Sequence, residues 1–317
     1  MSTALASAPR AGLGASNLLA AVGNTPLVRV DLPGLPSGVT LLAKCEWFNP
    51  GGSVKDRTAL SLIFEGERSG RLRPGLTVID SSSGNTAVGL SLVCRVRGYP
   101  LELYLPANVS PRRRRLCEAY GAKITLTDPL QGSDGAAAQV RARVATEPQR
   151  YFFSDQYSNP ANVQAHYRTT GPEIWRQTDG GVTHFVAGLG TSGTLMGTGR
   201  YLRQRDPAVR VVAVEPDDGF HGLEGLRHMA TTSLVPAIHD PRGVDETIHV
   251  STPDAEDMAA MVLDRCGLLV GHSAGAALWA AHRLALSLRG GVVVALLADG
   301  GERYLEDEAP ARPQEPA

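Results

Sequence analysis

Short apolar runs alternate with longer stretches of small and apolar residues along most of the chain, and Gly or Pro turns separate them. Val39 to Cys45 reads as a strand, as do Leu76 to Asp80, Leu101 to Leu105 and Lys123 to Thr127. Between them, Thr86 to Val96, Pro111 to Tyr120 and Gly135 to Ala145 read as helices. A second series begins at Asn162, where a helix runs to Gln177 with a kink or break expected at Gly171-Pro172. Val182 to Ala187 and Val209 to Glu215 then read as strands around a helix from Gly193 to Arg203. Helices follow at Pro253 to Arg265 and Ala274 to Leu288, with a short strand at Leu268 to Val270 and a buried one at Val292 to Leu297. Leu18 to Val22 predicts a short helix that stops at Gly23-Asn24, and Pro216 to Glu246, without a clean period, predicts long loops. This punctuation implies two interleaved α/β layers with a crevice between them.

Size and composition narrow the class. At 317 residues, two domains are favoured over one, and 43% hydrophobic with 20% charged residues is ordinary for a soluble protein. A net charge of -1 leaves no footprint for nucleic acid, and the basic run Arg112 to Arg115 reads first as a solvated helix face, with an anion or partner contact as the alternative. No apolar run approaches membrane-spanning length. Residues 1–17 lack the apolar core of a signal peptide, and they and residues 307–317 read as flexible tails. Cys45, Cys94, Cys117 and Cys266 form no CxxC and read as free thiols in a reducing, cytoplasmic setting; no metal is expected.

Four polar turns carry candidate chemistry. Lys55 lies in Asn49-Pro50-Gly51-Gly52-Ser53-Val54-Lys55-Asp56-Arg57, close to the start of a helix. A lysine near the positive end of a helix and other cations loses its proton more readily, which suits it to attack a carbonyl. Gly188-Leu189-Gly190-Thr191-Ser192-Gly193-Thr194 follows a strand and satisfies G-x-G-x-x-G, with Glu215 27 residues on as a candidate ribose-binding acid. That separation is long for a dinucleotide site, and three hydroxyls suit a terminal phosphate dianion equally well. On spacing alone a nucleotide, a phosphate-bearing cofactor and a structural turn all stay open. Ser81-Ser82-Ser83-Gly84-Asn85-Thr86 can hold a carboxylate at a helix N-terminus or simply cap the helix. Gly271-His272-Ser273-Ala274-Gly275 matches the G-x-S-x-G hydrolase elbow, yet no histidine follows Asp299, its candidate acid.

Together these stretches resemble the pyridoxal-phosphate enzymes of the cysteine synthase and cystathionine beta-synthase family. Gly23-Asn24-Thr25-Pro26-Leu27, the Lys55 turn, Ser83-Gly84-Asn85-Thr86, Gln156-Tyr157-Ser158-Asn159-Pro160-Ala161-Asn162 and the loops at Gly188 and Gly271 fall in family order over residues 18 to 305. The resemblance implies fold type II, the tryptophan synthase beta-subunit-like fold of two three-layer α/β domains. Residues 18–47 with 156–306 would form the large cofactor-binding domain and 48–155 the small substrate-closing one. It makes Lys55 the imine-forming catalytic residue. Asn85 would meet the ring hydroxyl, Gly190, Thr191, Ser192, Gly193 and Thr194 would surround the cofactor phosphate, and Ser273 would face the pyridine nitrogen. Ser82, Ser83, Thr86 and Gln156 would bind the substrate carboxylate. Homodimers are usual in the family.

The implied reaction removes the α-proton, expels a β-substituent to leave an aminoacrylate, and adds a sulfur nucleophile to give L-cysteine. Gly225-Leu226-Arg227-His228-Met229 resembles the branch that takes O-phosphoserine instead of O-acetylserine, with Arg227 accepting the phosphate. The other role for Arg227 is an ion pair on the surface or across domains. Ser81-Ser82 stands where the family has Pro-Thr, and Ala87 where it has Gly, which leaves the nucleophile open. Sulfide, thiosulfate and a thiocarboxylated carrier protein all suit a cysteine-forming reaction. Cystathionine formation and diaminopropionate-type chemistry are the alternatives within the family.

Overall fold

The computed structural model describes residues 17–82 and 84–305. Along the chain, β1 (Leu27–Arg29) and β2 (Val39–Cys45) precede α1 (Lys55–Arg68). Strand–helix alternation follows with β3 (Thr77–Ser81), α2 (Asn85–Arg97), β4 (Leu101–Pro106), α3 (Pro111–Ala119), β5 (Lys123–Thr127), α4 (Gly132–Thr146) and β6 (Tyr151–Phe153). Helices α5 (Ala161–Arg168) and α6 (Thr170–Gln177) lead into β7 (Val182–Gly188), α7 (Gly193–Arg205) and β8 (Arg210–Pro216). The chain then forms β9 (Glu246–Val250), α8 (Thr252–Cys266), α9 (His272–Ser287) and β10 (Gly291–Leu297).

Two sheets result. Strands β5-β4-β3-β6 form a parallel four-stranded sheet. Strands β1-β2-β10-β7-β8-β9 form a six-stranded sheet in which only β1 runs antiparallel to its neighbour. Parallel strands covered on both faces have no polar side, so β10 is buried from Val293 through Leu297 and β8 from Val211 through Pro216. Helices α2 and α9 lack a clear amphipathic period because they too are enclosed, with Thr86 to Cys94 buried throughout.

A buried ion cluster ties three elements together next to the lysine turn. Lys44 Nζ on β2 donates to Glu173 Oε2 on α6 at 2.7 Å. Arg57 on α1 donates to both Glu173 oxygens, at 2.7 and 2.8 Å, and through Nε to Glu46 Oε2 at 2.7 Å. Charges removed from water need this many partners, and the result is a rigid mount two residues beyond Lys55.

Three differences from the sequence reading have local causes. The interruption in the helix after Asn162 falls at Thr169, not at Gly171-Pro172. Proline lacks only an N–H that the first turn does not use, but its ring collides with the preceding turn, so the break lies N-terminal to Pro172. Leu268 to Val270 is not a strand; Val270 alone bridges Gly300. Strands β1, β6 and β9 have no counterpart in the sequence reading: β1 and β6 span three residues each, and β9 is a largely exposed edge. The two tails and Ser83 lie outside the described residues.

Candidate active site

Carboxyl ends of parallel strands converge on a cavity of about 630 Å³ lined on one side by residues that follow strands of the four-stranded sheet and on the other by β7, β10 and the segments after them. Lys55 opens α1 and reaches this cavity, and its backbone N–H donates to Ser53 Oγ at 3.3 Å. Among the described residues its Nζ makes no hydrogen bond or ion pair. Burial lowers the proton affinity of that amine, and the nearby Asp299 carboxylate only partly offsets the effect.

The loop from β7 to α7 forms the opposite wall. Gly190, Thr191, Ser192 and Thr194 line the cavity, while Gly193 sits at the first position of α7 behind them. A Cβ on Gly190 would lie 2.1 Å from the Gly225 carbonyl oxygen, and one on Gly193 would lie 2.1 Å from Asn162 Oδ1, so neither position accepts a side chain. Ser192, the residue that precedes α7, is held at φ 69°, an uncommon conformation for a non-glycine residue. Its Oγ is buried without a protein partner among the described residues. Asn162 Nδ2 donates to Thr191 Oγ1 at 2.9 Å, leaving that hydroxyl's own proton free to donate. A cradle of amides and hydroxyls at the start of a 13-residue helix fits a phosphate monoester.

The remaining walls hold the other polar turns. Ser82, Asn85, Thr86 and Gln156 line the cavity, with Thr86 Oγ1 donating to Gln156 Oε1 at 2.7 Å. Ser273, in the first turn of α9, lines it as well. Arg227 reaches it from the segment between β8 and β9. Its guanidinium donates to Thr232 Oγ1 at 2.7 Å and Tyr157 Oη at 3.0 Å, and lies 3.5 Å from Asp134 Oδ1 on α4. Arg227 therefore faces the cavity and also makes an ion pair that spans the two sheets.

Residues at and just behind the wall take roles that the sequence reading did not assign to them. Asp299 follows β10 and is fully buried; burial raises its proton affinity, against donation from Asn85 Nδ2 at 2.6 Å and Tyr304 Oη at 2.8 Å. Arg303 Nη1 donates to Asn85 Oδ1 at 2.8 Å, so both ends of the Asn85 amide are held. Arg113 corrects the reading of its run as a solvated face. It is buried, lines the cavity and lies 3.0 Å from Glu224 across the cleft. Glu215, weighed as a ribose-binding acid, instead accepts the Met229 N–H at 2.8 Å.

A family model described as pyridoxal-phosphate dependent enzyme matches residues 18–299. The chain belongs to that family. Its cofactor is accordingly pyridoxal phosphate, and the phosphate cradle fits it. A cysteine synthase of Aquifex aeolicus is 50% identical over 295 residues, covering 91% of this chain and 90% of that one. A crystal structure of cysteine synthase from Entamoeba histolytica superposes with a TM-score of 0.89 at 33% identity, over 100% of this chain and 96% of that one. The structure of an O-ureido-L-serine synthase superposes with a TM-score of 0.86 at 36% identity, over 92% and 93%. The type II fold expected from the resemblance is thus the fold of this family member.

Proposed function

We propose that this chain makes L-cysteine by β-replacement on an O-activated L-serine. The observation that carries this reading is the meeting, in one cavity, of an unpaired lysine amine with a phosphate cradle, in a chain so similar to a cysteine synthase. Bound pyridoxal phosphate supplies an aldehyde for amine capture and a ring that draws electrons from the substrate α-carbon.

The chain's own groups do the rest. Residues 190–194 would hold the phosphate through amides and hydroxyls, and Lys55 would carry the cofactor through its amine and serve as the base for the substrate α-proton. Ser82, Ser83, Thr86 and Gln156 would orient the substrate carboxylate, and Asn85 would take the ring hydroxyl. Ser273, which lines the cavity, would offer the ring nitrogen a neutral hydroxyl. Without a carboxylate there, full ring protonation is not enforced, and departure of the β-substituent carries more of the reaction.

For the leaving group we favour phosphate, because the Arg227 guanidinium offers a two-pronged grip on a dianion that an acetyl ester cannot use. The test is cysteine formation from sulfide with O-phosphoserine or O-acetylserine, compared between wild type and Arg227→Ala. A loss of kcat/KM of at least about tenfold confined to O-phosphoserine is expected. Equal losses, or preference for O-acetylserine, overturn the phosphate assignment, and no cysteine from either donor overturns the whole reading. Urea derivatives as nucleophiles are a control arm, given the likeness to an O-ureido-L-serine synthase.

The wider setting follows from the same reading. Residues 48–155 act as the closing domain against 18–47 and 156–306, and the working unit is a homodimer, which a sedimentation mass checks. All four cysteines are free, which suits a reducing cytoplasm. Sulfide is the simplest sulfur donor, and a thiocarboxylated carrier protein would reach the same reacting carbon.

A further inference from the structure

We propose that Glu215, His228 and His249 form a binding site for a divalent transition-metal ion of the zinc class, fastening the Arg227 segment to the large sheet. In the parallel pairing of β8 and β9, Glu215 lies directly opposite His249, so the two side chains project from one face of the sheet. His228 arrives from the long connection between the same two strands. One ligand atom from each residue can be chosen so that all three lie within 4.8 Å of one another. An ion with ligands at about 2.1 Å draws such a set together by small side-chain rotations.

The surroundings prepare each group to coordinate. Met229 N–H holds Glu215 Oε2 at 2.8 Å and leaves Oε1 available. His228 Nδ1 lies 2.9 Å from Thr231 Oγ1, which fixes the ring and leaves Nε2 as the outward ligand. The Arg227 guanidinium does not oppose a cation here, because it points to Tyr157, Thr232 and Asp134. Glu215 is buried, His228 half-buried and His249 exposed, which gives the ion an anchored side and an open one. Two imidazoles and one carboxylate suit zinc, cobalt or nickel better than magnesium or calcium. Separations of 13 and 21 residues match no metal motif, so only the fold reveals the set.

Titrating Co²⁺ into the holoenzyme and following its visible ligand-field absorption tests the site without any turnover, so a failed cysteine assay does not bear on it. One Co²⁺ per chain is expected, displaced by Zn²⁺ and not by Mg²⁺. His228→Ala, His249→Ala and the shape-conserving Glu215→Gln should each raise the dissociation constant at least about tenfold. His282→Ala, whose ring meets the Pro33 carbonyl instead, should leave it unchanged. No saturable binding, binding that survives both histidine substitutions, or a thiolate charge-transfer band would each overturn the proposal.

Discussion

Lys55 is unusual for what its amine lacks: burial lowers its proton affinity, and among the described residues none hydrogen-bonds to it. If it carries the cofactor, borohydride reduction of the holoenzyme should leave the cofactor mass on the peptide containing Lys55. Lys55→Ala should carry none and should lose at least about 10³-fold in cysteine formation, the scale of a missing acid–base group. A second residue reports on titration. Asp80 is pushed up to about 7 by burial, against donation from Ser154 and the Ser81 N–H. Its folded pKa is above the unfolded value near about 3.9, so the folded state binds the extra proton. That contribution is full below about pH 4 and is lost as pH rises through about 7. Asp80→Asn should therefore gain stability relative to wild type by up to about 1.4 kcal/mol per pH unit across that window, and nothing more above it. Urea midpoints of both proteins at pH 5 and pH 8 check this, and parallel behaviour would refute it.

Elements here are joined as much by charge as by apolar packing. Burial alone would raise the Glu173 carboxyl, but hydrogen bonds and charge from Arg57, with help from Lys44, hold it at about 2. Its stabilising effect is present above the unfolded carboxylate value and is lost as pH falls toward 2. Removing it leaves two cations buried on β2 and α1, so Glu173→Ala should cost about 3–5 kcal/mol in chemical unfolding, whereas a surface pair would cost about 1 at most. None of this cluster was legible in the sequence, since Lys44, Glu46, Arg57 and Glu173 meet only through the fold. What could be read had a local cause. Strands β2, β4, β7, β8 and β10 announce themselves as continuous apolar runs because both their faces are covered. The cofactor and carboxylate loops were legible because an anion at a helix start calls for Gly, Ser and Thr at fixed offsets. Strand β9, three-residue β6 and the Thr169 break escaped because edge exposure, brevity and proline's backward clash leave little pattern. Arg113 escaped because three neighbouring arginines mask the one that turns inward.

At the scale of the molecule, the two sheets meet across the cavity through polar bridges rather than a shared apolar core. Arg113 on α3 reaches Glu224, Arg112 Nη1 donates to the Glu302 carbonyl at 2.6 Å, and Arg303 binds both Asn85 and the Gly51 carbonyl. Bridges with a solvent-exposed partner, such as Arg112 and Glu224, are weak one by one, which suits a cleft that must admit and release small molecules. The Arg227–Asp134 pair is the informative one, because a substrate phosphate and Asp134 would compete for the same guanidinium. At 3.5 Å, with Asp134 40% exposed, the pair is worth about 1 kcal/mol at most, a factor of about five in affinity. If Arg227 grips the phosphate of the substrate, Asp134→Asn frees it and should lower KM for O-phosphoserine by about two- to fivefold, with O-acetylserine unaffected. If the pair serves mainly to draw the sheets together, the same substitution loosens closure and raises KM for both donors alike. Initial-rate measurements with the two donors therefore separate a phosphate-gripping arginine from a structural clasp by the sign of one ratio.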